Sequence, residues 1–201
     1  MNILSLDPYG PDPKLIQEAV RVLRRGGIVM YPTDTAYGLA ADMTNPKGVR
    51  RIYQIKGRSK DKTLPLIAAS RAMVSRHARW NPRAEKLAKK YWPGPLTILL
   101  QAKQNHTHII KDGKIAIRVP DAPVAQKLSR ALGRPITSTS ANKSGSLPSY
   151  SVQSFLRQMK RQRALPDIIL DAGALPPKKP STIVDATKIP PVLIRKGPVK
   201  I

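Results

Sequence analysis

Four short segments of the chain combine small hydroxyl side chains with fixed cations, each at the end of a run that reads as a helix or strand. In Pro32–Leu39, PTDTAYGL, Thr33, Thr35 and Tyr37 supply hydroxyls, and Gly38 allows close backbone approach. In Lys56–Lys60, KGRSK, Lys56 offers a point charge and Arg58 a planar fork to phosphate oxygens, with Lys60 beside them. Ser138–Asn142, STSAN, places three hydroxyls and an amide in five residues, a set that hydrogen-bonds an anion or a sugar. The pair PSTIVD and VLIRKG carries Ser181, Thr182 and Arg195, and Arg118 ends the strand-like IRVP. Taken singly, each has a plainer reading: a turn, a basic helix end favoured by the dipole, a Ser/Thr-rich turn, or edge strands bearing an exposed arginine.

The common nucleotide and hydrolase signatures are missing. There is no GxxxxGK[ST] loop, no GxGxxG, no HExxH and no GxSxG, and the close glycines Gly26 and Gly27 are adjacent. His106 and His108 alternate in QNHTHII without a carboxylate or cysteine beside them, so they read as a polar loop; His77 reads as a surface residue of a basic helix. Zero cysteines exclude disulfides, cysteine-ligated zinc and a cysteine nucleophile, and fit a cytoplasmic location.

The elements that must position these residues alternate. Leu15, Ile16, Ala19, Val20 and Leu23 predict a helix from Pro13 to Arg25, stopped by Gly26 and Gly27. Ile28 to Tyr31 predicts a buried strand ended by Pro32. A basic helix through Val49, Ile52 and Tyr53 runs into KGR, and Leu64 to Ala69 reads as a strand. Helices follow around 71–78 and 83–91, then strands in WPGPLTILL and KIAIRV. Val124, Leu128 and Leu132 mark a further helix before strand-like PITSTS. A basic helix over 152–163 precedes three strands in DIILD, STIVD and VLIR. The order implies an α/β domain with a mixed sheet.

A chain of 201 residues reads as one domain, 1–201, at ~150 residues per domain. Lys and Arg total 36 against 12 acidic residues, a formal charge of +24 that attracts polyanions such as nucleic acid or nucleotides. Nine aromatic residues (two Trp, six Tyr, one Phe) do not support a base-stacking platform, whereas backbone-directed RNA binding stays open. No apolar run approaches the ~18 residues of a membrane span, and the start MNILSLDPYG lacks a signal-peptide pattern. No membrane association is expected.

The order and spacing of these segments resemble one family. GGIVMYPTDTAYGL, KGR followed by LPL, WPGPLT, IRVP, STSAN with SG, and PSTIVD with VLIRKG are similar to the YrdC family, whose members are threonylcarbamoyl-AMP synthases. The resemblance extends from about Leu15 to Val199. The family's Lys-x-Arg and Ser-x-Asn signature stands here as Lys56, Arg58, Ser140 and Asn142, residues often missing from a related, less well-defined branch. The chain resembles the single-domain form. PTDT stands where PTET is commoner, Ser59 where proline often follows KGR, and Lys196 where the usual RPG has proline, a change that bears on the position of Arg195.

The resemblance implies an open twisted mixed sheet with flanking helices, and condensation of L-threonine, bicarbonate or CO2, and ATP into threonylcarbamoyl-adenylate and pyrophosphate. Mg²⁺ would arrive with ATP, with no dedicated protein site. It also implies that Thr33, Arg118, Ser138 and Ser181 hold threonine, and that Lys56, Arg58, Lys60, Ser140, Asn142 and Arg195 surround the nucleotide, Lys56 and Arg58 being catalytic. Downstream tRNA threonylcarbamoyl transferase proteins would consume the product, with tRNA or double-stranded RNA as a further partner. The alternatives are a non-catalytic double-stranded-RNA- or ribosome-binding factor of the same fold, and a carbamoyl-handling enzyme with another acceptor.

Overall fold

The structure is a computed structural model describing residues 1–59, 63–103, 109–160, 162 and 164–201. Proline in the first turn starts four helices, where its missing N–H costs nothing. These are α1 (Pro13–Arg24), α2 (Pro46–Lys56), α4 (Pro82–Tyr91) and α5 (Pro123–Leu132). Serine caps start the other two described helices, α3 (Arg71–His77) and α6 (Val152–Met159), through Ser70 and Ser151. The helix expected over 152–163 ends at Met159; residues 161 and 163 lie outside the described residues.

The strands form two mixed sheets. One runs in the order β1 (Asn2–Ser5), β10 (Ile168–Asp171), β2 (Val29–Pro32), β3 (Tyr37–Ala40), β9 (Thr139–Ser140). The other runs β12 (Val192–Arg195), β11 (Thr182–Asp185), β6 (Leu96–Ala102), β7 (Lys114–Arg118), β4 (Leu66–Ile67), β8 (Ile136–Thr137), with β5 (Ala78–Arg79) also paired to β6. Parallel pairs, such as β10 with β2 and β11 with β6, sit beside antiparallel ones, such as β2 with β3 and β6 with β7.

Strand β2 is buried on both faces, which accounts for its unbroken apolar run. Met30 joins a core with Leu39, Ile98, Ile117 and Phe155. Val29 and Tyr31 face the apolar stripes of α1 and α5, including Val20, Leu23, Leu128 and Leu132.

The α/β class and mixed strands match the sequence reading, but the strands divide between two sheets. The division falls at PITSTS: β8 belongs to the larger sheet, β9 to the smaller, and Ser138 lies between them. Ser138 N donates to Pro65 O at 2.7 Å, while Thr137 and Ala41 exchange two hydrogen bonds. Three short strands, β1, β3 and β5, have no counterpart in the sequence reading. Two to four residues each, with Gly38 interrupting β3, leave too little alternation to see.

Candidate active site

The turn between β2 and β3 is closed by one hydroxyl. Thr33 Oγ1 donates to Ala36 O at 2.6 Å and accepts from the backbone N–H groups of Thr35 and Ala36. Thr33 N also donates to Ala36 O. This local Ser/Thr-type turn fixes Asp34 at its apex and puts the Thr35 hydroxyl 3.2 Å from that of Thr33.

Two cavities flank the turn. One, about 420 Å³, lies between the two sheets and is lined by Thr33, Arg58, Arg118, Ser138, Ser140, Ser181 and Arg195, among others. The other, about 550 Å³, is larger but lined mainly by prolines and apolar groups, with Asp34 and Asp121 on its wall. Thr33, Thr35 and Lys178 border both. Only the smaller cleft gathers the arginines and hydroxyls expected to work together, so it is the candidate site.

Gly57 separates the two cations of KGR. It ends α2 in the left-handed region, with φ +57°, which glycine adopts without the penalty a Cβ brings. Arg58 thereby turns into the cleft. Its Nη2 donates to Thr63 O at 3.1 Å, while its buried Nε has no partner among the described residues. That orphaned donor fits an anionic ligand.

Lys56 goes the other way. It is 2% exposed, and its ammonium donates to Ser140 O at 2.5 Å, Asn142 O at 3.0 Å and Asn142 Oδ1 at 2.7 Å. Asn142 Oδ1 also accepts from Ser140 Oγ, and Asn142 Nδ2 donates to Ser146 O. Lys56 and Asn142 therefore brace the loop behind Ser138 and Ser140 and do not line the cleft. Burial, followed by the Arg58 charge, pushes the Lys56 ammonium down to about 7. The three oxygen acceptors act in the opposite sense, by hydrogen-bonding the charged form.

On the opposite wall, Arg195 is tied to Ser181. Its Nε donates to Ser181 O at 2.9 Å and its Nη2 to Ser181 Oγ at 3.0 Å. Thr97 Oγ1 lies 2.9 Å from the same Ser181 hydroxyl. Gly197 makes this approach feasible, because a Cβ there would collide with Pro180 O and Thr182 N. Lys196, which replaces the usual proline, does not prevent the pairing of Arg195 with Ser181. Burial, then the Arg118 and Arg58 charges, hold the Arg195 guanidinium below its ordinary value.

Arg118 ends β7 and is nearly buried; its Nη1 donates to both carboxylate oxygens of Asp34, at 2.8 and 3.1 Å. Tyr31 OH donates to Ser138 Oγ at 3.1 Å. Burial pushes that phenol up to about 12, so it stays a donor at neutral pH.

The structure thus brings Thr33, Arg58, Arg118, Ser138, Ser140, Ser181 and Arg195 to one cleft and places Lys56 and Asn142 behind it. Lys60, His106 and His108 lie outside the described residues. Sequence reasoning missed Tyr31, Asp34 and Thr97. Asp34 was readable as the sole acid inside PTDT; a tyrosine and a threonine within strands give no such signal. Among the described residues no cluster of three or more His, Asp or Glu side chains is built to hold a metal.

Comparisons with known proteins show the family and the fold. Residues 21–197 match the family model Sua5_yciO_yrdC, described as "Telomere recombination". A threonylcarbamoyl-AMP synthase of Pyrococcus abyssi is 36% identical over 185 residues, 90% of this chain and 54% of that protein, so the chain spans about half its length. The threonylcarbamoyl-AMP synthase of Vibrio cholerae is 34% identical over 187 residues, covering 90% of this chain and 97% of the relative. The crystal structure of P. abyssi Sua5 complexed with L-threonine superposes with a TM-score of 0.87 at 33% identity, covering 98% of this chain and 58% of that one. Escherichia coli YciO superposes with a TM-score of 0.86 at 29% identity, covering 100% and 98%. The inter-sheet cleft, its arginines and its hydroxyl loop are carried by a chain that belongs to the Sua5/YciO/YrdC family.

Proposed function

We propose that the protein is a threonylcarbamoyl-AMP synthase, condensing L-threonine, bicarbonate or CO2, and ATP. The observation that carries the reading is the cleft itself: three arginines and several hydroxyls face one space, with no carboxylate among the described lining residues and no cysteine in the chain. Such a lining suits a reaction whose nucleophiles come from the substrates. The threonine amine attacks the carbon of CO2 and loses a proton, or that of bicarbonate with loss of water, giving in either case an N-carboxylate. An oxygen of that carboxylate then attacks the α-phosphorus of ATP, and the α–β bond breaks with pyrophosphate as the leaving group. The protein's work is alignment and neutralisation of charge developing on phosphate oxygens.

In this reading Arg118 meets the threonine carboxylate, assisted by Thr33, Ser138 and Ser181, whose hydroxyls already share hydrogen bonds within the protein. Arg58, Arg195 and Ser140 face the nucleotide, with Lys60 expected beside them. Lys56 and Asn142 act as positioning residues by shaping the Ser140 loop. Mg²⁺ enters on the triphosphate as part of the substrate, which accords with a cleft lining of cations and hydroxyls.

The product is an activated threonylcarbamoyl donor, and its consumers in this proposal are tRNA-modifying transferases. The excess charge of +24 supports attraction of tRNA to the surface. No described helix is long and apolar enough to cross a membrane. A cytoplasmic location follows from the need for ATP and tRNA together. The deciding assay supplies ATP, Mg²⁺, bicarbonate and L-threonine and measures pyrophosphate and the adenylate. Release that requires threonine is the expected result; RNA binding without turnover overturns the reading.

A further inference from the structure

Among the described residues, the cleft has three arginines in its lining and no carboxylate of its own. A described acid that reaches them stands on the other side of the Thr33–Thr35 turn. Asp34 belongs to the wall of the proline-lined cavity, and its carboxylate crosses the partition to Arg118. The side chains of the pair are 7% and 9% exposed, so bulk water screens the interaction weakly. The turn leaves Asp34 little freedom, because Thr33 holds the backbone on both sides of it.

Arg118 therefore meets any incoming carboxylate with one already in place. Two carboxylates sharing one guanidinium repel each other and divide its charge, so the resident acid weakens the newcomer. It also fixes the arginine, since both Asp34 oxygens accept from the same Nη1. Arg58 and Arg195 supply further positive charge nearby, and the Arg118 and Arg58 charges both act on Arg195. Without a counter-charge such a cluster would grip small anions indiscriminately, including a pyrophosphate that must leave.

We propose that Asp34 sets the affinity and selectivity of the cleft for anions: it is a resident carboxylate with which the amino-acid carboxylate competes for Arg118. The proposal deepens the threonine reading and rests on it. Asp34→Asn keeps an acceptor oxygen for Arg118 and removes the charge, whereas Asp34→Glu keeps the charge on a longer arm.

The test titrates wild type, Asp34→Asn and Asp34→Glu with L-threonine and, separately, with inorganic pyrophosphate by calorimetry, after thermal melts establish folding. We expect Asp34→Asn to bind both about 3–10-fold more tightly, and Asp34→Glu to match wild type. In turnover, the Asn variant should show a lower KM for threonine and slower pyrophosphate release. Equal or weaker binding of pyrophosphate by folded Asp34→Asn overturns the proposal, as does weaker binding of threonine. A wild type that binds no threonine overturns the threonine reading instead, and the pyrophosphate titration still decides whether Asp34 restrains the cluster. If Asp34→Asn does not fold, Asp34→Ser is titrated against the same criteria.

Discussion

Lys56 holds Asn142 twice, through its backbone carbonyl and through its side-chain oxygen, at 3.0 and 2.7 Å. The same ammonium takes Ser140 O, so one buried cation fixes the residues on both sides of Ala141. A signature lysine and a signature asparagine are thus partners of each other, and of the four signature residues it is Arg58 and Ser140 that line the cleft.

Replacing this clamp should cost activity through geometry. Lys56→Ala is expected to lower turnover about 30- to 150-fold, the equivalent of ~2–3 kcal/mol of transition-state stabilisation. Threonine-dependent pyrophosphate release measures it, and near-normal release would remove Lys56 from the machinery.

The same lysine gives a pH signature in stability. Its folded pKa, about 7, lies below the ordinary lysine value of 10.5, so between these values the unfolded chain binds the extra proton. Stability rises with pH wherever the unfolded state holds more protons. The penalty for burying the charge is therefore present in full below pH ~7 and is relieved as pH climbs toward ~10. Denaturant melts of wild type and Lys56→Met should show wild type gaining on the variant across that interval; a flat or falling difference contradicts the assignment.

Ser181 links Arg195 to Thr97, and its loss should loosen one wall of the cleft. Ser181→Ala is expected to raise the KM for ATP or threonine about 5-fold, as ~1 kcal/mol for a lost hydrogen bond implies, with a smaller change in kcat. Steady-state kinetics in each substrate will show the split. A fall confined to kcat would mean that Ser181 acts on the chemical step.

Salt should separate the cleft from the rest of the charged surface. Binding of a short RNA duplex is expected to weaken steeply between about 50 and 200 mM salt, while adenylate synthesis declines much less. Equal sensitivity would mean that one set of cations serves both.

Several of these features were readable before the fold. The helix starts at Pro13 and Pro82 were legible because proline at a first turn is a local signal, whereas the helices that begin at Pro46 and Pro123 were legible only by their apolar stripes. The hydroxyl and cation segments were legible as types, and most of them do reach one cleft. Their division of labour was not. Lys56 and Arg58 stand two residues apart, and only the left-handed turn at Gly57 sends one behind the loop and the other into the cleft. Asp34 looked like turn chemistry, because its partner Arg118 lies 84 residues away on the other sheet. The division into two sheets was equally hidden, since it depends on which neighbours β8 and β9 each find.

The Ser138 junction has a consequence for how the protein responds to its substrates. Thr33 hangs from the five-stranded sheet and Arg118 from the seven-stranded one, and short strands on either side of Ser138 join the two. A molecule gripping both residues acts as a rivet through two plates. Occupancy then stiffens the frame as well as filling a hole, and ligand affinity becomes resistance to unfolding by mass action. Slowed amide exchange at β8 and β9, far more than at β1, is the mark such a rivet would leave.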